Sequence, residues 1–226
     1  MCGRFTLRSS IKELAEALEA TSVKIREDKA RYNIAPTQQV VAAREEGKER
    51  ELLMLKWGLV PGWTKDPKIG ARMINARSET VTEKPAFREA FRRRRCLIPS
   101  SGFYEWKREG ARKQPFYFQM RDEQLFAFAG LWEQWAGEGS EAIESCTILT
   151  TNANEVLAPV HDRMPVIVAP ENYELWLDTT MSKAEQLTPL LRPYPAAKMT
   201  AHPVGLSVNN PRYDGEDLLA PLVNSK

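Results

Sequence analysis

Short apolar and aromatic segments punctuated by turn residues predict a strand-rich α+β fold for this chain: a single domain over residues 1–226 with a strongly bent or barrel-like mixed sheet and peripheral helices. Two observations carry that expectation. Strand-like runs dominate the stretch from Cys96 to Val168, whereas helix-period patterns are few and short. No internal repeat, low-complexity tract or linker divides the chain.

In chain order, Ser10-Ile11-Lys12-Glu13 reads as a capping box. Ile11, Leu14, Ala15 and Leu18 then recur at helical spacing, so this helix lays one face on a core. Gln39–Ala43 and Glu51–Trp57 are expected as strands around the Glu46-Gly47 turn. A second helix is expected over Lys84–Arg94, ending in Arg92 to Arg95, whose charges complement the helix dipole and stay solvated. Strands follow at Cys96–Pro99, Phe103–Lys107, Pro115–Met120, Leu125–Leu131, Cys146–Thr151 and Met164–Val168. Glu109 to Lys113 and Ala136 to Glu144 read as hairpin loops. Short helices are expected around Asn172–Asp178 and Ser182–Leu191, and the Pro-rich remainder as irregular chain.

Composition excludes several classes. The chain is 42% hydrophobic and 27% charged, with a net charge of +2 and pI near 8.4, so a nucleic-acid surface must come from local clustering. No run approaches the ~18 apolar residues of a membrane span, and no apolar signal core opens the chain, so a cytoplasmic location is expected. The three cysteines, Cys2, Cys96 and Cys146, have no paired spacing. Cys96 and Cys146 lie in apolar strands and are expected as core thiols. With only His161 and His202 and no metal-ligand spacing, neither a metal nor a cofactor is expected. No oligomerisation signal stands out, and a monomer is expected.

Cys2 is the residue with distinctive chemistry. It follows the initiator methionine, and removal of Met1 leaves an N-terminal cysteine. Reference values of about 7.7–8.0 for an α-amine and about 8.5 for a thiol make both groups partly nucleophilic near neutral pH. Such a 1,2-aminothiol condenses with an aldehyde: the amine forms an imine, and the thiolate closes a five-membered thiazolidine. An internal cysteine, whose nitrogen is an amide, cannot do so.

Four strings read as loops of unusual content: Arg31-Tyr32-Asn33-Ile34-Ala35-Pro36-Thr37, Ile74-Asn75-Ala76-Arg77-Ser78-Glu79, Gly102-Phe103-Tyr104-Glu105-Trp106-Lys107 and His161-Asp162-Arg163-Met164-Pro165. Together with Cys2-Gly3-Arg4-Phe5 and Trp57-Gly58-Leu59-Val60-Pro61-Gly62-Trp63, they closely resemble the SRAP family, from Cys2 to at least His202-Pro203-Val204. The resemblance implies a covalent thiazolidine crosslink to abasic sites in single-stranded DNA. It also implies that Asn75 holds the sugar and the Cys2 nitrogen, that His161 assists sugar ring opening and elimination, and that Thr150 lies near the reacting sugar.

The residues support the same chemistry. An opened abasic deoxyribose presents the aldehyde an aminothiol traps, and the condensation needs proton transfer worth ~10²–10⁴-fold. Glu105, between Tyr104 and Trp106, is the leading candidate for that work. Arg4, Arg77 and Arg163 flank Cys2, Asn75 and His161 and can reach phosphates. Trp63 and Trp106 can stack on exposed bases, while Asn33 and Pro36 shape the pocket wall. Two other readings stay open: an N-terminal-nucleophile cysteine peptidase acting on its own first residue, and a non-covalent single-strand binding module. No role is assigned after His202.

Overall fold

The computed structural model describes residues 2–47, 49–137, 139, 141–181 and 184–222. The chain runs β1 (Phe5–Leu7), α1 (Ile11–Ala17), β2 (Ser22–Val23), β3 (Arg31–Ile34), β4 (Gln39–Glu46), β5 (Glu49–Trp57) and β6 (Asn75–Arg77). It continues through α2 (Arg88–Arg93), β7 (Arg95–Ser100), β8 (Gly102–Glu109), β9 (Arg112–Met120), β10 (Phe126–Trp135) and β11 (Ile143–Asn152). β12 (Arg163–Pro165), β13 (Ile167–Val168), α3 (Tyr173–Leu177), α4 (Ala184–Leu187) and β14 (Met199–Pro203) complete it, with short 3-10 turns between.

Hydrogen bonding closes a ring. β11 pairs with β10, β10 with β7, β7 with β4 and β4 with β5. β5 then returns to β11 in parallel, with Ser145 opposite Lys56 and Cys146 opposite Trp57. This is the barrel-like mixed sheet expected from the strand pattern, and closure leaves these strands without edges. A second sheet, ordered β14-β9-β8-β1-β3, covers it. The chain crosses between the two at Ser101, where β7 ends and β8 begins. Gly102 makes the crossing possible: a Cβ there would sit 2.1 Å from the Tyr117 Oη, which hydrogen-bonds the Thr6 Oγ1 at 2.9 Å. Aromatic rings join the layers. Phe5 meets Trp57 at 5.2 Å and Phe128 at 5.7 Å between ring centres, both edge-on, while Phe103 stacks on Phe118 at 5.2 Å within the second sheet. The pairs combine apolar burial with ring contacts worth about 0.5–1.5 kcal/mol each.

The capping box forms as expected, with the Ser10 Oγ accepting from the Glu13 N–H and the Glu13 carboxylate accepting from the Ser10 N–H at 2.7 Å. β4 and β5 extend beyond their predicted bounds to a tight turn at Gly47, whose φ is +68°. The loop predicted over Glu109–Lys113 shrinks to Gly110-Ala111, because Glu109 and Arg112 already pair across the hairpin. The φ of +62° at Gly110 suits the first position of a II′ turn.

Several expectations are corrected. The helix over Lys84–Arg94 is confined to Arg88–Arg93, with turns before it; Pro85 disfavours helical backbone at the residue preceding it. Two of the unusual strings, for which no strand was expected, contain β3 and β6, whereas the strand expected over Phe103–Lys107 forms as part of β8. Met164–Val168 divides between two strands because β12 pairs with β11 and β13 with β10. The Pro-rich remainder contains β14, an edge strand on β9, where proline at a strand end costs no ladder bond. In the predicted Ser182–Leu191 helix, residues 182 and 183 lie outside the described residues; the rest is α4 and a 3-10 turn over Thr188–Leu191. Residues 138 and 140 of the predicted Ala136–Glu144 loop also lie outside them.

Arg95 departs furthest from expectation. It is 1% exposed and donates to the carbonyls of Trp176 at 2.6 Å, Phe91 at 2.7 Å, Arg92 at 2.8 Å and Asp178, tying α2 to α3. Burial lowers its pKa to about 10. Replacing Arg95 with Ala leaves buried carbonyls without donors and is expected to cost about 3 kcal/mol in urea unfolding, against under ~1 kcal/mol for the exposed Arg93. Burial also pushes the thiols of Cys96 and Cys146 above their ordinary value of 9.0. The native state therefore keeps those protons after the unfolded chain has lost them, and the urea midpoint is expected to fall as pH rises above about 9.

Candidate active site and nucleic-acid interface

The site begins with the position of β1. It lies between β3 and β8, with Phe5 opposite both Ile34 and Phe103. The Tyr104 N–H donates to the Arg4 carbonyl at 2.9 Å, so the pairing continues toward the chain start. Cys2 is fully buried, and its thiol lies 4.0 Å from the Arg4 carbonyl. Burial, with the Glu105 charge as a second contribution, pushes the thiol's pKa far above its ordinary value.

Asn75 completes this first group of residues. β6 pairs in parallel with β11, Asn75 opposite Ile148, and its Nδ2 donates to the Cys2 carbonyl at 2.8 Å. Its Oδ1 is buried and accepts no hydrogen bond among the described residues.

β8 carries the site outward. Gly102 to Glu105 are buried, Trp106 and Lys107 half-buried, and Arg108 and Glu109 exposed. Where the strand leaves the core, a cleft of about 460 Å³ opens, lined by Glu105, Trp106, Arg108, Lys113, His161 and Asn209. Glu105 is its buried end, at 3% exposure. His161 arrives on the turn after β11. The Asn154 Oδ1 accepts from the Leu157 N–H at 3.0 Å, and the His161 N–H donates to the Leu157 carbonyl at 3.0 Å. The His161 Nδ1 lies 2.9 Å from the Arg163 amide nitrogen, 3.2 Å from the Arg163 carbonyl and 3.1 Å from the 87% exposed Asp162 carboxylate, so the backbone of β12 fixes where the ring sits.

The expected DNA contacts divide. Trp106 lines the cleft, oriented by its Nε1–H donating to the Asn209 Oδ1 at 2.8 Å, with the Arg4 guanidinium 5.9 Å from its ring centre. Arg77 is exposed at the end of β6, paired in register with Thr150, and has no side-chain partner among the described residues. Trp63 is 65% exposed but does not line the cleft. Pro36 is half-buried in the turn after β3.

The others face inward. Arg4 donates from one nitrogen to the Asn33 Oδ1 and the Val208 carbonyl, each at 2.6 Å, and burial lowers its pKa. Asn33, 2% exposed, donates to the carbonyls of Asn210 at 3.0 Å and Tyr213 at 2.6 Å. Thr150 is buried, its hydroxyl 3.4 Å from the Ala76 carbonyl. Arg163 donates to both Glu79 oxygens, to the Asn152 Oδ1 at 3.1 Å and to the Thr150 carbonyl at 2.7 Å. Arg108, Lys113 and Asn209 were not expected in the site. The alternation of β8 past Trp106 could have indicated Arg108; nothing local marks Asn209, which arrives through the Arg4–Asn33–Val208 contact.

The fold and site define a barrel-based protein in which Cys2, buried just ahead of the first strand, lies within the field of Glu105, the buried end of a cleft that His161 and Trp106 also line. The chain belongs to the SOS response associated peptidase (SRAP) family, whose description matches residues 1–211. It is 42% identical over 221 residues to abasic site processing protein YoaM of Bacillus subtilis, covering 97% of each chain. It is 32% identical over 227 residues to abasic site processing protein YedK of Escherichia coli, covering 98% of this chain and 100% of that one. Abasic site processing protein HMCES of Xenopus tropicalis is 32% identical over 198 residues, 77% of this chain and 58% of that one. An X-ray structure of a Bacteroides thetaiotaomicron protein shares the fold with a TM-score of 0.88 at 27% identity, covering 98% of this chain and 100% of that one.

Truncating Asn33 to Ala removes one of the two acceptors of the Arg4 nitrogen and the donor to the carbonyls of Asn210 and Tyr213. The expected result is a loss of roughly 2–3 kcal/mol, with faster amide exchange over residues 206–213 while β10 and β11 keep their protection.

Proposed function

We propose that this chain processes abasic sites in single-stranded DNA by covalent capture, with Cys2 as the nucleophile once Met1 has been removed. The observation that carries the reading is the clasp on Cys2: its carbonyl held by Asn75 at 2.8 Å, its thiol within the field of Glu105, and Glu105 at the buried end of the cleft.

In this reading the Cys2 amine attacks the sugar aldehyde to give a carbinolamine. Glu105 supplies the proton with which the hydroxyl departs as water, leaving an imine. The thiol then loses its proton to Glu105, its sulfur attacks the imine carbon, and the nitrogen takes up a proton to complete the thiazolidine. One water is lost overall. Asn75 Oδ1 accepts from the Cys2 amine and aims its lone pair. His161 donates a proton to the sugar oxygen as the ring opens. The imine is also the branch point for β-elimination, which makes lyase activity and crosslink reversal side routes of the same chemistry. Trp106 stacks beneath a neighbouring base and Arg77 meets a phosphate, whereas Arg4, Asn33, Thr150 and Arg163 keep the walls in place.

The experiment is a denaturing gel of purified protein incubated with single-stranded DNA whose one uracil has been excised. A slow-migrating adduct is expected with wild type and none with Cys2→Ala. Glu105→Gln is expected to form it ~10²-fold or more slowly, with the non-covalent Kd within a few-fold of wild type. An adduct that survives Cys2→Ala, or mature protein retaining Met1 and still crosslinking, overturns the proposal.

A further inference from the structure

The β8–β9 hairpin carries a charge pattern that the capture chemistry does not use. Residues 107–113 contain four cations, Lys107, Arg108, Arg112 and Lys113, and one carboxylate, Glu109. That carboxylate pairs with Lys107 at 3.2 Å. Arg108 and Lys113 stand directly opposite each other across the hairpin, both exposed and without an ion-pair partner among the described residues. Like charges in directly opposed positions destabilise a β pair. Both line the same cleft as Glu105 and His161.

Strand alternation adds the third component. Arg108 follows Trp106 by two residues, so the two side chains leave the same face of β8, with Lys113 facing Arg108 from β9. The outer end of the cleft is thus an aromatic plate followed by two cations at one level. A rise of about 3.3 Å per residue sets Arg108 ~10 Å beyond Glu105 along the strand. A single DNA strand covers that distance in a nucleotide or two.

We infer that Arg108 and Lys113 form a phosphodiester clamp for the strand on one flank of the reacting sugar, holding the phosphate just past the base that lies on Trp106. The inference rests on the proposed single-strand reading and deepens it. The clamp's ligand offsets the repulsion within the pair, and because the hairpin borders the cleft at one end, the clamp serves one flank only. It is a binding element, separate from the proton-transfer groups.

The test uses a fluorescent single-stranded oligonucleotide with one tetrahydrofuran residue in place of the abasic sugar. This analogue has no aldehyde, so the result does not depend on whether Cys2 forms an adduct. Anisotropy titrations between 50 and 200 mM salt are expected to show the slope of log K against log[salt] shallower by about 1.4 in the Arg108→Gln, Lys113→Gln double variant, the loss of two phosphate contacts from a single strand. The charge-conserving Arg108→Lys, Lys113→Arg variant is expected to restore the slope. Oligonucleotides cut short on the 5′ or the 3′ side of the analogue are expected to abolish the difference on one side and keep it on the other. Equal slopes for wild type and the neutral variant, or a difference that survives both truncations, overturn the clamp. Failure of the adduct gel with the clamp result intact removes the chemical reading alone.

Discussion

The site depends on one structural constraint: the first strand of the chain lies inside a sheet. β1 is flanked by β3 and β8 and backed by the ring through Phe5, Trp57 and Phe128. A chain end usually frays, because few contacts repay the entropy of ordering it. Here the pairing continues to Arg4, and Asn75 takes the Cys2 carbonyl from a different strand. Cys2 is therefore held through its backbone, and it counts among the buried cluster. A nucleophile fixed in this way needs little further ordering to meet an electrophile in the cleft, which is how positioning lowers a barrier.

Burial and reactivity pull in opposite directions at Cys2. Taking the thiol out of water favours its neutral form, and the nearby Glu105 charge adds to that preference. A resting thiol in this environment resists oxidation, since the thiolate is the reactive species. The same two causes identify what must change for sulfur to attack: the proton has to move to a partner close enough to feel the charge. In the proposed reading Glu105 is that partner, and accepting the proton neutralises the carboxylate that opposed the thiolate. That transfer removes the second of the two causes and leaves burial, the larger one, in place.

The legible parts of the sequence were those whose physics is local. A capping box, a Glu46-Gly47 turn and alternating strands each need only neighbours, and each formed. Glu105 could be singled out because it interrupts the aromatic run of β8. Long-range satisfaction could not be read. Arg95 carries the same side chain as Arg92 and Arg93, and only the approach of α3 makes it a buried donor to four carbonyls. Asn33 is one asparagine among several, made structural by carbonyls some 175 to 180 residues downstream. Asn209 enters the cleft through that same contact. Helix α2 fell short of its predicted length because a proline at its start outweighed the periodic pattern.

The cations show why counting charge is a poor guide to a nucleic-acid surface here. Net charge is +2. Beside the reactive residues, Arg4 and Arg163 are held by Asn33 and Glu79, and drawing either out to a phosphate would leave buried acceptors or a carboxylate without a donor. Arg77, Arg108 and Lys113 carry no such obligation among the described residues. Position near a proposed reactive residue in sequence therefore does not separate framework cations from open ones: Arg4 and Arg163 are held, Arg77 is not, and Arg108 and Lys113 sit where strands run out into solvent. β8 passes through both regimes within a few residues, from a buried carboxylate through a half-buried indole to an exposed guanidinium. In the proposed reading that gradient orders the site: chemistry at its dry end, where charge acts strongly and proton transfer matters, and strand binding at its wet end, where charge is screened and several contacts must act together.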